Sequence, residues 1–108
     1  MNPKAIRQGD ILIVPCDAIP ATAVPVEPRG GRLIVALGEA TGHHHSFPHR
    51  PQIAMFRDDG AGGGLFIQAD APIALEHQEH SALIVERGTH RVINQRTFAA
   101  GMVRAVVD

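Results

Sequence analysis

Apolar residues fall along this chain in short runs separated by glycine and proline. The runs are Ile11–Val14, Leu33–Leu37, Ile53–Phe56, Leu65–Ile67, Ile73–Leu75 and Leu83–Val85, continued by Val92-Ile93 and Met102–Val107. Most are rich in β-branched residues, and runs this short between breakers read as strands rather than helices. No sustained stretch free of Gly and Pro carries the roughly 3.6-residue period of a helix. The best helical candidate, Thr97–Val107, is interrupted by Gly101. The pattern predicts one all-β domain over residues 1–108, a small barrel or sandwich of about eight short strands.

The polar punctuation places the turns. Gly9-Asp10 launches the first strand, and Arg29-Gly30-Gly31-Arg32 turns into the second. Between them, prolines 15, 20, 25 and 28 make an extended loop or an edge segment. Asp58 to Gly64 is a glycine-rich hairpin loop, and Arg87-Gly88 precedes a strand at 89–96. The sequence has no internal repeat and no domain boundary.

Composition narrows the function. The chain has four Phe and neither Trp nor Tyr, so its core is aliphatic and base-stacking platforms are scarce. Ten Lys and Arg are scattered, and the formal net charge is −1. No basic run suits nucleic acid, so no nucleic-acid partner is expected. No apolar run is long enough to span a membrane, and the start lacks a signal-peptide core. With the single Cys16, which has no internal disulfide partner, these features predict a cytoplasmic protein. Cys16 itself reads as a buried, inert thiol.

Seven histidines change the picture: four lie between 43 and 49, two at 77 and 80, one at 90. In a strand, alternate side chains share a face. His43, His45 and Phe47 then point one way, His44 and Ser46 the other. Two imidazoles at i and i+2 sit about 6–7 Å apart along a strand. Both can reach one ion at about 2.0–2.1 Å. Glu76-His77-Gln78-Glu79-His80 offers the remaining ligands: if a turn intervenes, His77 and His80 both reach the site. The expected metal ligands are therefore His43, His45, His77 and His80, with a divalent transition metal, zinc first, as cofactor. Glu39, Glu76 and Glu79 are the candidate catalytic carboxylates, acting as base or orienting a ligand. His49, between prolines, reads as an exposed loop residue. His90 reads as a strand residue or an alternative ligand.

These residues resemble two protein groups. Gly38, His43-His44-His45 and Gly88-x-His90-x-x-x-Asn94 are similar to the paired motifs of the cupin family of small β-barrels, with His49 where the motif has Glu. That resemblance implies His43, His45, His49 and His90 as ligands. The order Gln8-Gly9-Asp10, Gly38-Glu39-x-Thr41-Gly42-His43-x-His45, Glu76-His77-x-Glu79-His80, Gly88-Thr89-x-Arg91-Val92 and Gln95-Arg96 resembles a group of small uncharacterised bacterial proteins. It implies His43, His45, His77 and His80. The α-class carbonic anhydrases offer a chemical analogy, since a His-x-His on a strand with one distant His holds their zinc.

Two functions are expected on these grounds. The first is a metalloprotein that activates water to hydrate or hydrolyse a small substrate, a metal-dependent lyase or hydrolase with carbonic-anhydrase-like chemistry. The second is a non-catalytic β module, oligomeric or structural, holding a structural metal; a cupin-like small-molecule binder is a further variant. Short strands with open edges predict a homo-oligomer in either case.

Overall fold

The computed structural model describes residues 5–37, 43–59 and 64–94. Among them are ten short strands and no helix. They are β1 (Ile6–Gln8), β2 (Ile11–Pro15), β3 (Val24–Pro25), β4 (Arg32–Leu37), β5 (His44–Pro48), β6 (Ile53–Asp58), β7 (Gly64–Ala69), β8 (Ile73–Leu75), β9 (Leu83–Val85) and β10 (Gly88–Asn94). The apolar runs of the sequence thus become strands wherever they are described. The all-β expectation holds, as packed sheets consistent with a small barrel or sandwich. Thr97–Val107, the helical candidate, lies outside the described residues.

Six strands form one antiparallel sheet in the order β1-β2-β10-β7-β6-β3. Period-two alternation turns Ile11 and Ile13 of β2, Ile67 of β7, Met55 of β6 and Val92 of β10 to its inner face. The β4–β5 and β8–β9 pairs pack Leu33, Phe47, Leu75 and Val85 against that face, giving one apolar core. The edge strand β3 carries Pro25, which has no N–H to offer a further strand.

Two tight turns set the strands that carry the polar side chains. Arg29 and Arg32 exchange backbone hydrogen bonds of 2.7 and 3.0 Å across Gly30 and Gly31. Both glycines have positive φ (+57° and +76°), the requirement of a type I′ turn that few other residues meet. This turn starts β4 with the Arg32 side chain beside β5. Within the β4–β5 pair the register slips between Ile34 and Ala36, a bulge that inserts Val35 opposite the Ser46–His45 junction. The other turn, Gly9-Asp10, joins β1 to β2 with Gly9 at φ +58°.

The β4–β5 pair and the β8–β9 pair meet at one point. Ser46 N–H donates to the Glu76 carbonyl (3.0 Å) and Glu76 N–H to the Ser46 carbonyl (2.8 Å). This reciprocal pair stitches the middle of β5 to the end of β8.

Candidate functional site

The stitch brings the histidines of β5 against the turn that follows β8. Four rings gather there. The His45 and His77 centroids are 4.4 Å apart, His77 and His80 4.6 Å, His43 and His77 5.6 Å, and His45 and His80 6.0 Å. His90 is elsewhere: it is buried on β10, and its Nε2–H donates to the Glu86 carbonyl at 2.8 Å. Its Nδ1 has no hydrogen-bond partner. His49 is exposed just after β5.

Hydrogen bonds fix the tautomers of two of these rings. The Gln8 side-chain amide donates to the carbonyls of Leu75 (2.9 Å) and Ser81 (2.8 Å). Its NH2 end is therefore set, and its Oε1 accepts from His45 Nδ1 at 2.8 Å. His45 thus carries its proton on Nδ1 and a lone pair on Nε2. His77 is the reverse: its Nδ1 accepts two backbone N–H groups, from Glu79 (3.0 Å) and His80 (3.2 Å). Its proton lies on Nε2. This local side-chain-to-backbone capping also makes the turn that carries His77 and His80 to the same side.

His44 belongs to a second network on the opposite face of β5. Ser46 is fully buried. Its Oγ accepts from Arg32 Nε at 2.6 Å and lies 2.9 Å from His44 Nδ1. Arg32 also donates to the Ser46 carbonyl (3.4 Å) and forms a close ion pair with Glu76. The Gln78 Oε1 accepts the His44 backbone N–H at 2.8 Å. Arg32, His44, Ser46, Glu76, His77 and Gln78 line a cleft of about 280 Å³.

The environment keeps the inner rings neutral. Burial first, and the neighbouring His77, His80 and His44 after it, lower the His45 pKa to about 4. His77 is also lowered, by burial first and then by His80 and His43. Burial raises the pKa of Cys16, which is only partly buried and sits within 3.8 Å of the Ala18 carbonyl. It stays a thiol.

The expected metal centre does not form. Among the described residues no three His, Cys, Asp or Glu side chains make a group that could hold a metal ion. The rings that gather meet at mixed angles, from near-parallel His45 and His80 (14°) to edge-on His43 and His77 (81°). A metal needs lone pairs that converge in the ring planes, each on a deprotonated nitrogen. His77 has spent its Nδ1 lone pair on two backbone donors and holds a proton on Nε2. The assignment of His43, His45, His77 and His80 as ligands of zinc, or of another divalent metal, is therefore corrected. The metal-dependent lyase or hydrolase, the carbonic-anhydrase analogy and the structural-metal module fall with it. So do the resemblances to the cupins and to the Gly-His-x-His proteins, whose motifs implied those ligands.

The candidate carboxylates lose that metal chemistry as well. Glu76 is paired with Arg32, and an exposed Glu79 Oε1 lies 3.1 Å from His43 Nδ1. Glu39 lies outside the described residues. Sequence reasoning passes over Arg32, Ser46, Gln78, Gln8 and Gly9. Two signals were available: Ser46 alternates with His44 on one strand face, and Arg32 follows a Gly-Gly turn. Gly9 matters because a Cβ there would stand 2.9 Å from His80 Nε2 and 3.3 Å from His45 Cε1.

Among the described residues no helix is long and apolar enough to cross a membrane. A family model described as "Domain of unknown function (DUF8820)" matches residues 7–95. No curated protein and no solved structure matches the chain.

Proposed function

The chain belongs to the family described as Domain of unknown function (DUF8820), and from its own geometry we propose that it is a small-molecule binding module. The ligand lies in the cleft between β5 and the turn after β8. The observation that supports this is the buried Ser46 hydroxyl, held between Arg32 Nε and His44 Nδ1. A buried hydroxyl so engaged fixes two polar side chains at a cleft wall before any ligand arrives, which lowers the ordering cost of binding. The opposite wall is the Glu76–Gln78 segment, held to β5 by the Ser46–Glu76 backbone pair. At about 280 Å³ the cleft stands near the lower limit of ligand pockets, roughly 300 Å³, so the ligand is small.

The test is a set of ¹⁵N–¹H spectra of the full chain. Small alcohols, amides, amines and carboxylates are titrated one at a time. Saturable shifts centred on the amides of His44, Ser46, Glu76 and Gln78 are expected for at least one compound, weakened by Ser46→Ala. Shifts that never saturate, or that centre elsewhere on the molecule, would overturn the proposal.

A further inference from the structure

Resting on that reading, we infer that the ligand of the β5 cleft is a small carboxylate, received by the His77, Gln78 and Arg32 donors. The ground is which hydrogen-bonding atoms the fold has already used. His44 has engaged its Nδ1 with Ser46. His77 has given its Nδ1 to two backbone donors, leaving Nε2–H. Gln78 has given its oxygen to the His44 N–H, leaving its NH2 group. Arg32 has committed Nε and Nη2 to Ser46 and Glu76, leaving Nη1.

The groups left on His77, Gln78 and Arg32 all donate. Glu76 keeps its second carboxylate oxygen as an acceptor. A wall of donors recognises a ligand rich in acceptors, and a carboxylate oxygen accepts from N–H more strongly than a neutral carbonyl does. Charge narrows the class further. Arg32 and Glu76 form an ion pair, so their charges cancel; the Gln78 amide carries no charge, and burial holds the His77 pKa down. A single negative charge spread over two oxygens suits the N–H groups left on His77, Gln78 and Arg32. A phosphate dianion would bring a second charge toward the Glu76 carboxylate with no cation left to meet it. The small cleft volume admits a short acid rather than a long one.

The probes are acetate, its neutral counterpart acetamide, and inorganic phosphate. Each is titrated into the full chain at pH 7 and constant ionic strength, and read at the His44, His77 and Gln78 amides. Acetate is expected to bind about tenfold or more tightly than acetamide, the difference a charged acceptor makes. Phosphate is expected to bind more weakly than acetate. Gln78→Glu keeps an oxygen for the His44 N–H while replacing the donor NH2 by a negative oxygen. It should cost acetate about tenfold and leave acetamide within about twofold. Acetamide matching acetate, or Gln78→Glu leaving acetate unchanged, would overturn the carboxylate inference while the binding module stands. Phosphate binding more tightly than acetate would also overturn it. If none of the three probes moves these amides but another small compound does, the inference again fails alone. If no compound moves them, the binding module fails with it.

Discussion

The interior of the six-stranded sheet and the seam between β5 and the turn after β8 are both shielded from water, and different forces hold them. In the sheet, Ile67 sits between β10 and β6 with a full ladder on either side. Its stabilisation is area removed from water, which is tolerant of direction. At the seam, Gln8 and Ser46 are just as buried but polar. Each is kept there by directional bonds to partners far away in the chain. A buried polar group that loses a partner costs more than the bond was worth when made. The sheet therefore sets whether the chain folds, and the seam sets which nitrogen of His45 carries a proton.

The largest expected effect breaks the first half of that contrast. Ile67→Ala should destabilise the domain by about 2–5 kcal/mol, read from denaturant midpoints. Because domains of this size hold only about 5–15 kcal/mol, that is a large share of the total stability. The loss should spread over the whole sheet in amide exchange rather than remain local.

Acid should act on the other half. His45 has a folded pKa of about 4, below the ordinary 6.5. Between those values the unfolded chain binds more protons than the folded one. The stabilisation is present above pH 6.5 and is lost as the pH falls through about 4. His77, lowered too, adds in the same direction. Unfolding midpoints at pH 7, 5.5 and 4.5 should fall in that order, with a shallower slope in His45→Gln. An equal slope in the variant would remove His45 as the source.

Gln8→Leu preserves bulk and removes three bonds at once, leaving the Leu75 and Ser81 carbonyls and the His45 Nδ1–H unmet. A cost of about 2–3 kcal/mol is expected. Faster exchange should centre on β1 and the β8–β9 pair while β7 and β10 stay protected. Uniform exchange across both regions would show that the two are not separable. Gly9→Ala should cost less, about 1–2 kcal/mol, chiefly because a Cβ is unfavourable at positive φ. The ring tip of His80, which it would meet, can swing aside.

The sheet was the legible half. Glycine and proline cut the sequence into runs, and period two within each run told which residues face inward, as with Ile11 and Ile13. The turns at Gly9-Asp10 and Gly30-Gly31 were legible for the same local reason. The gathering of β5 histidines near His77 and His80 was suggested by residue type and spacing alone. What those rings do was not legible, because spacing counts imidazoles and chemistry counts lone pairs. The proton on His45 is placed by Gln8, 37 residues away. Nothing in a His-x-His pattern carries that information. His77 was closer to readable, since its partners are the Glu79 and His80 amides of its own turn. Arg32 and Ser46 are 14 residues apart and join only because β4 and β5 form a hairpin with a bulge.

The Gln8 strut also fixes when the His45 ring can settle during synthesis. Gln8 leaves the ribosome before its partners, since Leu75 and Ser81 lie 67 and 73 residues further on. Until those are made, the amide has no carbonyls to hold it and the His45 ring has no reason to keep one proton position. The β4–β5 hairpin, by contrast, needs only its own span and can close at once. A growing chain should therefore carry a β5 strand long before it carries a ligand site, and a nascent chain stalled before Glu76 would have the hairpin without the recognition.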